Sequence, residues 1–471
     1  MATKPYGDDL EYLGAALDVL RLAGRRRILE REASGLIPRD PVAVYTDAEP
    51  DPEELRKAYD AAVKAHAARL GNTKEKPAAL KLQETFGLSD FERDVLLLAL
   101  APAIDGSFNQ MYGRVKGSSY RAPLDIDVAL TLLVDDFGAR VQSRRSFTSN
   151  GALLKSNLLL LSRGGGGTGD SFLALEITLP ARLVSLLLGQ TGEDETLQSF
   201  SRLIEPTETL DRVILPMDDK VRIVELVAYH DHYLAALDAW GLKEAIPYGR
   251  GVTMLFSGPP GTGKTLTARA VANHLGRRLL QVDSARLGGQ ASQFEANLEN
   301  LLREARLQNA VLFFDECEGL FSAQNRFGGP LPVLLQALEQ FEGVCILATN
   351  LPKTLDHALD RRILYRVAFQ PPSPSMREAI WKVHLPEALP LADDVDVGYL
   401  ARRFEFTGGY IKNAVLLAAS AAAGRSATGR GEAVVTQQDF VQSCYSQLRH
   451  RLDDLATNEI ADLRLSDVIL P

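Results

Sequence analysis

Gly258-Pro259-Pro260-Gly261-Thr262-Gly263-Lys264-Thr265 is the stretch of this sequence whose residue types and spacing most plainly specify chemistry. It fits G-x-x-x-x-G-K-[ST], a loop whose glycines let backbone N–H groups turn inward on phosphate oxygens. The helix that follows presents its positive end to the same anion. In this pattern Lys264 brings a mobile positive charge to the outer phosphates, and the Thr265 hydroxyl is placed to ligate Mg²⁺. Pro259, Pro260, Thr262 and Leu266 complete the set of nucleotide-binding positions. Further on, "VLFFDECE" ends an apolar run on carboxylates. After such a loop, Asp315 is expected to hold Mg²⁺ through a bound water and Glu316 to orient and deprotonate an attacking water. By itself a strand ending on two acids is merely solvated. "GVCILATN" ends on Asn350, whose amide can fix that water only if the sheet sets its strand beside the one leading to Gly258. An isolated strand-end Asn is a turn residue. Arg361 and Arg362 close a short helical segment before another strand. An arginine supplied by a neighbouring molecule raises phosphoryl-transfer rates by ~10³- to 10⁵-fold. A pair of surface arginines is the plainer alternative, and it stays open here.

These side chains need strands to carry them. "VTMLFSG", "LLQVD", "AVLFFDE", "GVCILATN" and "YRVAFQ" are short apolar runs separated by helical stretches. That alternation predicts an α/β fold, a largely parallel sheet covered on both faces. From about Pro371 the chain reads as helical, with "NAVLLAASAAAGR" the clearest case. Ahead of the sheet, Ser89 and Glu92 form a capping-box pattern before the apolar helix "LSDFERDVLLLALAPAID". Leucine-rich runs flank Gly164 to Gly167, which places those glycines at a hairpin tip rather than in an interdomain linker. With the short helix "PARLVSLLLG" they predict a winged-helix-like region. The expected division is a helical region over 1–76, the winged-helix-like region over 77–190 and a polar linker over 191–208. The α/β domain then covers 209–371, and a helical lid with C-terminal helices covers 372–471.

The 471 residues carry a net charge of -9, which opposes non-specific nucleic-acid binding, since that needs a positive surface. Arg25, Arg26 and Arg27 are followed by Glu30 and Glu32 and read as a solvated helix face. The three cysteines form no C-x-x-C pair, so neither a disulfide framework nor a zinc site is indicated. No apolar h-region opens the chain and no run approaches the ~18 apolar residues of a membrane span. A cytoplasmic protein without a membrane partner is expected.

Taken together, the motifs resemble those of AAA+ ATPases: Walker A at 258–265, Walker B at 311–316, sensor 1 at Asn350 and an arginine-finger segment at 361–362. The resemblance covers about residues 211 to 450. It implies a five-stranded α/β domain with a helical lid, ATP and Mg²⁺ bound at subunit boundaries, and a homo-oligomeric ring, usually a hexamer. "FTGGYIKNAVLLAA" looks most like the FtsH/p97-related branch, which places Gly408 and Gly409 near the nucleotide. Two positions depart from the pattern. Tyr410 stands where other branches carry a sensor-2 arginine, with Lys412 close by. Gln290-Ala291-Ser292 stand where related remodelling motors carry an aromatic-aliphatic-Gly pore loop. Residues 77–190 more loosely resemble the winged-helix segment of bacterial AAA+ ATPases encoded with phage-tail-like contractile injection systems. These resemblances imply an ATP hydrolase that remodels or assembles a protein partner. The competing readings are a nucleic-acid-associated ATPase with its winged helix on DNA, a non-hydrolysing switch and a small-molecule kinase.

Overall fold

Asp8 opens the first helix, α1 (Asp9–Ala33), by accepting the Glu11 N–H at 2.7 Å. Tyr12, Leu13, Ala16, Leu17 and Leu20 recur along one face of α1 and are buried. The computed structural model describes residues 4–39, 52–163, 171–190, 195–245, 249–287, 291–320, 330–351, 362–428 and 432–456. They fall into two units, 1–198 with 299–307 and 199–298 with 308–471.

In the first unit α1 is followed by α2 (Pro52–Gly71), α3 (Ala78–Phe86), α4 (Asp90–Ile104), α5 (Ser107–Val115) and α6 (Ile126–Leu133). The expected capping box is formed: the Ser89 N–H donates to Glu92 at 2.9 Å, and the Glu92 N–H donates to the Ser89 hydroxyl at 3.3 Å. A hairpin of β1 (Leu160–Arg163) and β2 (Leu175–Thr178) follows, paired antiparallel with Leu161 opposite Ile177. Gly164 to Gly167 lie outside the described residues, between these two strands. A short helix, α7 (Ala181–Leu187), then adds Leu183 and Leu187 to a core shared with Tyr12, Leu98, Tyr112 and Leu130. Helices of residues 1–76 and the hairpin region thus bury one common set of side chains.

Among the described residues the second unit is built on a sheet of six strands in the order β3-β5-β6-β7-β4-β8. They are β3 (Ser201–Ile204), β4 (Val252–Ser257), β5 (Leu279–Asp283), β6 (Val311–Asp315), β7 (Val344–Thr349) and β8 (Tyr365–Ala368). The five apolar runs of the sequence are β4 to β8, and all their pairings are parallel. Every residue of β7, and all of β4 but its last, is buried, as in a sheet covered on both faces. The expectation of five strands is corrected to six. β3 lies in the stretch expected to be linker and pairs antiparallel with β5, Leu203 opposite Leu280. Its four residues form too short a run to announce a strand, and its partner is the edge of β5 that would otherwise stay unpaired.

Helices α8 (Met217–Ala228), α9 (Lys264–His274), α10 (Ala291–Leu307), of which 299–307 belong to the first unit, and α11 (Pro330–Gln340) alternate with the strands along the chain. Ile223 and Val227 of α8 and Val271 of α9 join the sheet's core. The lid consists of α12 (Pro374–His384), α13 (Val397–Arg403), α14 (Gly408–Ala427) and α15 (Gln437–Ala456). It has its own core around Trp381, Leu400, Ile411 and Phe440, with the Trp381 and Phe440 rings edge-to-face at 5.6 Å. Arg377 is buried beneath it and donates to the Ala401 carbonyl at 2.7 Å and the Pro372 carbonyl at 2.8 Å. Among the described residues no helix is long and apolar enough to cross a membrane.

Candidate nucleotide site

β4 delivers the chain to Gly258, and α9 carries it away from Gly263. Gly258 has φ +149°, and a Cβ there would meet the Phe369 carbonyl oxygen at 2.1 Å, so only glycine lets this turn lie against β8. Gly261, at φ +74°, faces the lid. Its carbonyl accepts the Gly409 N–H at 3.1 Å, and a Cβ would lie 2.8 Å from the Thr407 hydroxyl. A Cβ on Gly408 would come within 3.4 Å of the Gly261 carbonyl, so the lid's two glycines sit on the loop. Thr262 closes the turn by donating to the Pro259 carbonyl at 2.8 Å.

Strand order brings the remaining groups in. β7 lies between β6 and β4, so Asp315, Asn350 and the glycine loop follow the ends of three neighbouring parallel strands. Such ends are where open α/β sheets bind ligands. Lys264 Nζ donates to the Gly258 carbonyl at 2.7 Å, the Pro259 carbonyl at 3.0 Å and Asn350 Oδ1 at 2.8 Å. Burial lowers its pKa, while the carboxylates of Asp315, Glu318 and Glu316 pull the other way. The Thr265 hydroxyl donates to Asp315 Oδ2 at 3.2 Å. Glu316 is exposed and holds a left-handed backbone, φ +51° and ψ +53°, with its N–H on Asp315 Oδ1 at 3.1 Å. A non-glycine residue kept in that region costs about 1–3 kcal/mol, strain of the kind that gathers at active sites.

The residues present suit a nucleotide's phosphates and a hard cation. The Thr407 hydroxyl is buried beside Gly261 and has no hydrogen-bond partner among the described residues, as a group reserved for a ligand would be. Thr265 and Asp315 together offer a hydroxyl and a carboxylate, the oxygen donors that Mg²⁺ takes alongside phosphate. Thr265 and Asp315 would hold the cation, and Lys264 with the loop amides would hold the phosphates.

Arg361, Gln290 and Gly288–Gly289 lie outside the described residues, and of Ala291 and Ser292 only the backbone, at the start of α10, is described. Arg362 is tied within its own chain, its Nε donating to Glu339 at 2.6 Å. Tyr410 packs in the lid, 5.6 Å from the Phe406 ring. Three residues at the site escaped the reading of the sequence. Glu318 accepts the Asn350 N–H, Gln281 donates to Asp315 Oδ2 at 3.2 Å, and Thr407 faces Gly261. Glu318 was visible as the third acid of "DECE", and Gln281 as the one polar residue inside "LLQV".

Residues 254–371 match the profile of the ATPase family associated with various cellular activities (AAA), and residues 1–201 match that of the winged helix domain, variant. The chain thus carries a match to a winged-helix profile ahead of a match to an AAA profile. The chain is similar to the cell division cycle protein 48 homolog of Archaeoglobus fulgidus, 35% identical over 40% of this chain and 26% of that protein. The chain is also similar to the 26S proteasome regulatory subunit 8 homolog of Schizosaccharomyces pombe, 29% identical over 58% of this chain and 66% of that protein. The ATPase family gene 2 protein homolog B of Mus musculus is 35% identical over 40% of the chain and 26% of its own length. This chain therefore spans between about a quarter and just under two thirds of these relatives.

Proposed function

We propose that this chain is a Mg²⁺-dependent ATP hydrolase that works as a homo-oligomeric ring, expected to be a hexamer, and remodels or assembles a protein partner. The observation that carries the reading is the convergence of Lys264, Asn350, Thr265 and Asp315 on three adjacent strand ends with Glu316 exposed beside them. Mg²⁺, when bound, supplies charge neutralisation on the phosphates. Lys264 exchanges its loop carbonyls for phosphate oxygens, Glu316 takes the proton of the attacking water, and Asn350 orients that water. Glu318 positions Asn350 through its backbone N–H.

The arginines at 361–362 are assigned to the nucleotide of the next copy, with Glu339 steadying Arg362. Closure of the lid on the loop, through Gly408–Gly409 against Gly261, is the element that the nucleotide would bias. The likeness to a 26S proteasome regulatory subunit supports work within an assembly on protein. The buried free thiols of Cys317, Cys345 and Cys444 suit a reducing cytoplasm. A contractile phage-tail-like particle as the partner is the finest form of the proposal, and it stands on the resemblance of residues 77–190 alone.

The test is ATP turnover per chain over a hundredfold range of protein concentration, with Arg361→Ala and Arg362→Ala alongside and the assembly mass measured. Turnover that rises with concentration and collapses in Arg361→Ala is expected. A monomeric mass with full turnover in both variants would overturn the ring.

A further inference from the structure

Asp315 is held from three directions, and one of them has no part in the motifs. Its Oδ1 accepts the Glu316 N–H at 3.1 Å, and its Oδ2 accepts both the Thr265 hydroxyl at 3.2 Å and Gln281 Nε2 at 3.2 Å. A hydroxyl can face a cation with a lone pair and still donate its proton, so Thr265 can serve both the cation and Asp315. Gln281 is the side chain on Oδ2 whose only part there is to hold the carboxylate.

The amide of Gln281 is itself oriented. A guanidinium only donates and a carboxylate only accepts, so with Arg269 on one side and Asp315 on the other the amide has one satisfied orientation. Arg269 Nη2 reaches Gln281 Oε1 at 3.5 Å, and its Nη1 reaches Glu208 Oε1 at 3.2 Å. Glu208 is fastened twice more. Asn273, one turn beyond Arg269 on α9, donates to its carbonyl at 2.8 Å, and the Thr207 N–H donates to its carboxylate at 3.1 Å. The Glu208 carboxyl lies below its usual range: its own and the Thr207 backbone N–H groups and Arg269 lower it by more than desolvation raises it.

We propose that Gln281 is a positioning residue that aims the Asp315 carboxylate at the cation, and that Arg269 and Glu208 extend this hold to the segment between β3 and α8. The proposal rests on the reading of the site as one for Mg²⁺ and nucleotide. Through it the position of residues 205–208 sets the metal affinity of the nucleotide site, since Glu208 and Asp315 share one hydrogen-bonded line across α9 and β5.

The experiment measures binding of a fluorescent ADP analogue to the full chain, in excess Mg²⁺ and in EDTA, for wild type, Gln281→Met, Arg269→Met and Glu208→Gln. The expected result is an unchanged affinity in EDTA and a Mg²⁺ enhancement lowered about threefold to tenfold in Gln281→Met, the worth of one such hydrogen bond. A smaller loss in the same direction is expected in Arg269→Met and Glu208→Gln. A purely structural role would lower both affinities alike, and that outcome overturns the proposal. So does a wild-type Mg²⁺ enhancement in a folded Gln281→Met. Should Gln281→Met not fold, wild-type enhancement in both other variants overturns it. If wild type itself binds the analogue without any Mg²⁺ enhancement, the reading of the site fails first and the proposal with it.

Discussion

Gly261→Ala tests whether the lid is docked on the glycine loop by the contacts described. The magnitude can be built from three parts. Placing a Cβ at φ +74° costs about 1–2 kcal/mol, the penalty of an L-residue in the left-handed region. The new methyl lies 2.8 Å from the Thr407 hydroxyl, whose rotation away costs about 0.5–1.5 kcal/mol. If the lid backs off instead, the Gly409 N–H leaves the Gly261 carbonyl, at about 1 kcal/mol. The last two are alternatives, so the sum is about 2–3 kcal/mol. Gly263→Ala is the control, because it also has a positive φ, +104°, but no atom within 4 Å of the added Cβ. It should cost only the backbone part, about 1–2 kcal/mol.

The structure supplies the probe for this comparison. Of the two tryptophans, Trp381 is fully buried in the lid and Trp240 is 71% exposed. In a Trp240→Phe background, Trp381 fluorescence therefore reports the lid alone. Urea titrations without nucleotide should place the Gly261→Ala midpoint below that of Gly263→Ala by roughly 0.3–0.7 M, at a slope near 2 kcal/mol/M. Equal midpoints would refute the reasoning, since the two variants would then share only backbone strain and the contacts of Gly261 with Thr407 and Gly409 would carry no energy.

Three further outcomes follow from the same structure. Glu316→Gln should keep nucleotide affinity while lowering turnover at least ~10²-fold, the usual worth of a general base; retained turnover would remove Glu316 from its role. Arg377→Met leaves the Ala401 and Pro372 carbonyls without their donors and should cost about 3 kcal/mol, read as a drop of several degrees in the Trp381 melting transition. His66 sits with Nδ1 2.7 Å from the Tyr6 hydroxyl, and burial, aided by Arg93 and Arg69, holds its pKa below 6.5. The unfolded chain therefore takes up the proton first, so stability is full above 6.5 and falls as pH drops toward the lower folded value. Melting curves between about pH 8 and pH 5 should show a smaller loss in His66→Gln than in wild type.

Local pattern made the glycine loop and the five parallel strands legible. A strand buried on both faces must be apolar throughout, and "VTMLF" and "VCILAT" are. The capping box of Ser89 and Glu92 was legible for the same reason, since all of its partners lie within four residues. Asn350 was a different case. Its side chain meets Lys264 only because β7 is inserted between β6 and β4, and strand order is a property of the whole sheet. β3 was hidden for a related reason, since four residues become a strand only when the edge of β5 is there to pair with them.

Gln281 shows what kind of signal was present and passed over. β5 lies between β3 and β6, so a polar side chain on it is flanked by strands on both sides. A half-buried amide there must find hydrogen-bond partners or cost about 1–3 kcal/mol. A glutamine kept among "LLQV" is thus a statement that partners exist, although the sequence does not say which. The fold names them as Asp315 on one side and Arg269 on the other. The same reasoning applies to the Thr407 hydroxyl, which is buried against the loop and finds no partner among the described residues. A polar atom left in that state beside Gly261 adds a second, independent pointer to the ligand that the glycine loop already implies.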